Sequence, residues 1–154
     1  MPKRTLPAHQ VCHVFNRSIA QYKIFYSYED FCRMKETMRF YMATKRPCKF
    51  SLYNWRQQRE LPSRVELDLS ERMVNILAYC IMPTHIHFVL EPLVEEGISN
   101  YMRCVLLSYA KYFNVKYKRK GHLWESYFKS VYVECDEQLL HLTRYIHLNP
   151  TSSN

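Results

Sequence analysis

Two histidines separated by one residue stand in the run Met82-Pro-Thr-His85-Ile-His87-Phe-Val-Leu-Glu91. Alternate residues of a strand project from the same face. His85 and His87 would therefore lie side by side, where two imidazoles can share one divalent ion. Ordinary histidines on a sheet face give the same pattern, so the pair alone decides nothing. A second group is Arg144-Tyr145-Ile146-His147-Leu148-Asn149-Pro150. On a helix, Gln138, His141, Tyr145 and Asn149 fall on one stripe, and Leu139, Leu142 and Ile146 fall on an apolar stripe that can dock elsewhere. Such a helix offers a phenol and, one turn on, an amide carbonyl able to ligate a metal. His141, one turn before Tyr145, is the competing ligand; His147 faces away. An amphipathic helix with an ordinary wet face has the same spacing.

These groups need elements to hold them. QVCHVFNR (residues 10–17) alternates as a strand, with Val11, His13 and Phe15 on one side and Cys12 and Val14 on the other. Residues 27–43 predict a helix: Ser27 and Asp30 form a capping-box signature, and Phe31, Met34, Met38, Tyr41 and Met42 form an apolar stripe. Residues 44–70 are irregular and read as an insertion or flap holding a short helix. MVNILAYCIM (residues 73–82) predicts a strand covered on both faces, and Pro83-Thr84 turns it into a second strand at 85–91. Residues 99–117 carry the strongest helical period, running into Lys116, Lys118, Arg119 and Lys120 before Gly121. Residues 128–134 alternate as a strand. A last helix spans 136–148, with Asp136 as its expected cap and Pro150 limiting its end. The expected architecture is one α+β domain over residues 1–154: an antiparallel sheet with helices packed mainly on one face.

Composition narrows the function further. The chain has 154 residues, net charge +8, thirteen Tyr and eight Phe. Cations that meet phosphates, with rings that stack on unpaired bases, suit single-stranded nucleic acid. Only Gly97 and Gly121 are glycines, which excludes both the dinucleotide-binding turn and the Walker A loop. Phosphate chemistry here must use a metal or basic side chains. The six cysteines lie at least sixteen residues apart, so a cysteine zinc site is not expected. The first ten residues have no apolar leader, and no run is long enough to span a membrane. The expected location is the cytoplasm.

Taken together, MPTHIHFVL, GHLWESYFKSVYVE and RYIHLNP resemble the single-tyrosine transposases of the HUH endonuclease superfamily. The likeness is nearest to the REP-associated tyrosine transposases and their insertion-sequence relatives. The opening HVFNRSIAQYKIF is similar to that group's first strand and following loop, so nearly the whole chain is covered in the expected order. The resemblance implies a ferredoxin-like or RRM-like core. It implies His85 and His87 as ligands of Mg²⁺ or Mn²⁺, Tyr145 as nucleophile, and Asn149 as the polar residue completing the metal site, where insertion-sequence relatives carry Gln. It implies a bacterial enzyme, nucleoid-associated when bound to DNA, that cleaves and rejoins single-stranded DNA near hairpins through a 5′-phosphotyrosine. Members act as monomers or as homodimers that exchange tyrosine helices.

Lys111, Lys116, Lys118, Arg119 and Lys120 are the expected phosphate track, although a solvated helix end looks the same. Trp124, Tyr127 and Phe128 are expected to divide between base stacking and the core. Relatives continue beyond the Asn-Pro pair and are shorter over 44–70, whereas this sequence stops at Asn154. That difference sets the alternative expectation, a catalytically inactive or domesticated protein that holds hairpin DNA without cutting it.

Overall fold

The computed structural model describes residues 7–59 and 65–149. The alternating and helical periods fold as β1 (Cys12–Arg17), α1 (Tyr28–Met42), α2 (Phe50–Gln57), β2 (Val74–Met82), β3 (His85–Pro92), α3 (Gly97–Lys116), β4 (Lys129–Tyr132) and α4 (Asp136–Leu148). The strands form one sheet in the order β2-β3-β1-β4, every neighbouring pair antiparallel. With β1 and β3 in the centre, β1-α1-β2-β3-α3-β4 is the ferredoxin-like split βαβ arrangement, and α4 is added after it. The α+β expectation holds. Among the described residues, no helix is long and apolar enough to cross a membrane.

The pleat sorts side chains into two cores. Cys12 and Val14 of β1 and Ile86, Phe88 and Leu90 of β3 pack against Met34 and Met38 of α1 and Tyr101, Val105 and Tyr109 of α3. The opposite face holds Ala78, Cys80, Met82 and Val89 under Ile146 of α4, with Leu139 and Leu142 beside it. Thus α1 and α3 share one face while α4 crosses the other. Strand β2 serves both cores. A register irregularity between Ile76 and Ala78 shifts the alternation, so Val74 and Ile76 meet the first core and Ala78, Cys80 and Met82 the second. That division accounts for its nearly unbroken apolar sequence.

Local signals explain the helix ends. Ser27 caps α1 by accepting from the Asp30 amide, and the Asp30 carboxylate accepts from the Ser27 amide. In α4 the cap falls one residue earlier than expected. Cys135 takes the position with no side-chain hydrogen bond, and Asp136 joins Glu137 in the first turn, where carboxylates favour the helix dipole. Helix α3 starts close against β2: a Cβ on Gly97 would collide with the Met73 carbonyl.

Residues 44–71 leave and rejoin the body at one place. Ala43 bridges to Arg72, and the Thr44 amide donates to the Glu71 carbonyl. Inside this excursion α2 packs Phe50 and Tyr53 on Phe40 of α1.

Asp30 ties the helical layer together. Its side chain is fully buried. It accepts hydrogen bonds from the amides of Tyr26 and Ser27, the hydroxyls of Tyr112 and Tyr117, and the Lys116 ammonium. Burial alone would raise its pKa. The donors from Lys116, Tyr117, Tyr26 and Ser27 outweigh that and hold the carboxyl well below the usual range. Removing one partner of a buried charged pair costs about 3–5 kcal/mol, so Asp30→Ala should lose about that much stability in urea denaturation at pH 7. A carboxylate with a depressed pKa contributes its full stability above its unfolded pKa and loses it progressively as the pH falls toward its folded value. The gap between wild type and variant should therefore narrow as the pH falls below about 4.

Candidate active site

Strand β3 positions the two histidines as its pleat requires. His85 and His87 project from the α4 face, while Ile86 and Phe88 project into the opposite core. The α4 face also receives His13, Phe15 and Arg17 of β1, since Phe15 pairs with His87 and Arg17 with His85. The His85 and His87 rings lie 5.1 Å apart between centroids and are nearly perpendicular. Tyr145 reaches them from α4: its ring centroid is 6.2 Å from that of His87, edge to face. Ile146, fully buried on Ala78, Cys80, Met82 and Val89, anchors the helix that aims it. Tyr145 itself stays 54% exposed. All three groups belong to one chain.

Each histidine has one nitrogen covered and one available. The Nδ1 of His85 lies 3.0 Å from Thr84 Oγ1, and the Nδ1 of His87 lies 3.0 Å from His13 Nε2. Neither Nε2 takes a hydrogen bond among the described residues. Burial keeps these rings neutral. It lowers the pKa of His13 and of His85, with the Arg17 charge adding to the effect at His85. His87 is pushed down to about 4 by burial, then by the neighbouring His13 and His85. Neutral imidazoles are what metal ligation needs, because protonated ones must first lose a proton.

The donor chemistry fits a divalent cation. Two imidazole Nε2 atoms are available, and Asn149 stands at the C-terminal cap of α4, its amide bonded to the Tyr145 carbonyl. The Asn149 side-chain nitrogen is buried with no hydrogen-bond partner. A half-turn of that amide exchanges nitrogen for carbonyl oxygen, an acceptable third ligand for Mg²⁺ or Mn²⁺. His141, the competing ligand, is solvent-exposed. Among the described residues, no three His, Cys, Asp or Glu side chains converge as a metal cage.

The basic track is divided. The Lys116 ammonium is bound by Glu29 and Asp30, each at 2.8 Å. Arg119 turns inward to the carbonyls of Gly121 and His122 and to Asn114. Lys111, Lys118 and Lys120 are exposed. Of the three aromatic residues, Trp124 and Phe128 pack on the core, Trp124 donating to the Leu106 carbonyl, and Tyr127 is 88% exposed. Two neighbours of the site, His13 and Phe15, carry no mark of that role in the sequence. Their alternation placed them on one strand side, but only the β1–β3 register sets them beside His87.

The chain can be compared with known proteins on this basis. Residues 33–149 match the family described as "Transposase IS200 like". A solved REP-associated tyrosine transposase bound to a REP hairpin superposes with TM-score 0.61 at 13% identity, covering 99% of this chain and 73% of that one. A structure described as a candidate transposase of Deinococcus radiodurans R1 gives TM-score 0.49 at 12% identity, covering 96% of each chain. At these identities the likeness is one of fold. No curated protein sequence matches the chain.

Neutral, half-buried histidines make stability depend on pH. For His87 the unfolded chain titrates near 6.5 and the folded one near 4. Between those values the unfolded state holds more protons, so folding weakens as the pH falls. In urea titrations of the metal-free protein, wild type should lose more stability from pH 7 to pH 4.5 than His87→Gln. Equal losses would refute a neutral, half-buried His87.

Proposed function

The chain belongs to the IS200-like transposase family, and from that footing we propose that it nicks and rejoins single-stranded DNA beside hairpins, with Tyr145 as nucleophile. One observation carries the reading: the Tyr145 ring stands edge-on to His87 from the same chain, at the end of a strand whose two histidines keep their Nε2 atoms available. The hairpin-bound relative of the same fold supports a DNA hairpin as substrate.

His85, His87 and the Asn149 carbonyl would hold Mg²⁺ or Mn²⁺. When bound, such an ion polarises a phosphate oxygen and offsets charge built up in the transition state. The chain's own groups do the rest. Arg17 lies opposite His85 and holds Glu125 only loosely, at 3.4 Å with both side chains about half exposed. Its guanidinium is free to take a phosphate oxygen at the edge of the site. The Tyr145 hydroxyl attacks the phosphorus, so a phenolic O–P bond forms as the P–O3′ bond breaks. The phenol gives its proton to solvent, and the departing 3′ oxygen takes one up. One phosphodiester becomes another, and the 5′-phosphotyrosine retains the bond for attack by a later 3′-hydroxyl. No nucleotide cofactor is required, in keeping with a sequence that has no phosphate-binding glycine loop.

Ile146 docks the helix from beneath while Tyr145 stays exposed, so the phenol can meet DNA laid along the half-open α4 face. Lys111 lies on α3, across the sheet from that face, so phosphate contacts from Lys111, Lys118 and Lys120 would need DNA that wraps round the sheet edge; such contacts depend on salt rather than on sequence. In this reading the chain is one catalytic unit over residues 1–154, with 44–70 an inserted flap, and it works in the cytoplasm. Its tyrosine acts within its own chain whether or not two copies associate.

Incubating labelled hairpin-bearing single-stranded DNA with the protein and Mn²⁺ should give a covalent adduct that survives denaturing electrophoresis. Tyr145→Phe should give none while binding the same DNA with nearly unchanged affinity. His85→Ala and His87→Ala should each abolish cutting, and so should chelation. An adduct that persists in Tyr145→Phe would overturn the nucleophile assignment.

A further inference from the structure

We propose that His13 is a positioning residue, accepting a hydrogen bond from His87 Nδ1–H and thereby holding the Nε2 lone pair of His87 ready for the cation. This inference rests on the proposed metal site and adds a residue to it. His13 lies on β1, opposite Val89 in register, so its side chain reaches His87 diagonally across the sheet. The His13 Nε2 to His87 Nδ1 distance is 3.0 Å. The rings are only 18° from parallel, with centroids 5.3 Å apart. That separation exceeds the nitrogen–nitrogen distance by about one ring width, which places the two nitrogens head-on in a shared plane. A head-on pair needs one proton and one lone pair between them. Two nitrogens ligating a common ion would instead point at a third place.

The proton can sit on either nitrogen, and the choice decides what His87 can do. If His13 donates from Nε2, then neutral His87 carries its own proton on Nε2 and has no lone pair for a metal. If His87 donates from Nδ1, its Nε2 lone pair is free, and His13 must carry its proton on Nδ1. Ligation at His87 Nε2 therefore selects the second arrangement. By linkage, an acceptor that already favours it strengthens metal binding. His85 shows the same plan, with Thr84 Oγ1 in reach of its Nδ1. In this arrangement neither His13 nitrogen has a lone pair left for the cation, so His13 supports the site from outside the ligand set. Phe15 closes the pair from the side, its centroid 4.9 Å from that of His13 and 5.8 Å from that of His87.

Two measurements on the full chain test this. Long-range ¹H–¹⁵N spectra of the metal-free wild type above pH 7 should show His13 and His87 both protonated on Nδ1. Mn²⁺ titration followed by electron paramagnetic resonance should then show affinity falling about 10–100-fold in His13→Phe. It should recover in His13→Gln, whose amide oxygen can accept the same bond, with circular dichroism and thermal midpoint recorded for all three. His87 protonated on Nε2 in wild type, or His13→Phe binding Mn²⁺ as tightly as wild type, would overturn the proposal. A wild type that binds no Mn²⁺ yet shows His87 protonated on Nδ1 would instead sink the metal site and leave the hydrogen bond standing.

Discussion

The pleat of β3 is the constraint on which the site depends. Because alternate residues must face opposite sides, Ile86, Phe88 and Leu90 fix the strand in the main core, and the same backbone then has no choice but to aim His85 and His87 the other way. Slipping the strand by one residue would bury both imidazoles among apolar side chains and expose three large hydrophobic ones. The depth of the main core is thus what makes the direction of the histidines certain. The second core completes the geometry with a smaller commitment: Ile146 seats α4 on Cys80, Met82 and their neighbours, and the adjacent Tyr145 is carried round the helix to the open end of the face.

Electrostatics follows from that partial cover. A helix lying across one half of a sheet face shelters the histidine cluster enough to discourage charge on it, as the lowered pKa values of all three rings show. It leaves the tyrosine at the solvent boundary. The helical layer on the far side solves a different problem. There a single buried carboxylate, Asp30, collects donors from the loop before α1 and from the end of α3, so two helices with no direct covalent link are pinned at one end.

Much of this was legible in the sequence. The element order, the capping box at Ser27, the apolar stripe of α4 and the H-x-H pair all follow from periods and spacings that local backbone geometry imposes, and the structure brings His85, His87 and Tyr145 together. What escaped is whatever depends on register between distant segments. His13 looked like one more residue of an alternating strand, because nothing local announces that β1 will pair with β3 at that offset. The irregularity in β2 is hidden for the opposite reason: both neighbours of Leu77 are apolar, so a change of face leaves no mark on the pattern. Lys116 looked like part of a cationic run, and its partners Glu29 and Asp30 lie far upstream.

The closed neck at Ala43 and Arg72 has a consequence for how such a protein can change. Everything between those residues begins and ends at one point of the body, so the sheet registers only the neck and is indifferent to the length of chain beyond it. Doubling a flexible loop adds only about 0.6 kcal/mol of closure entropy. A lineage could lengthen or trim the chain beyond α2 at little such cost, so long as Phe50 and Tyr53 keep their packing on Phe40, and novelty in this protein's contacts would accumulate there first while the histidine face stayed as it is.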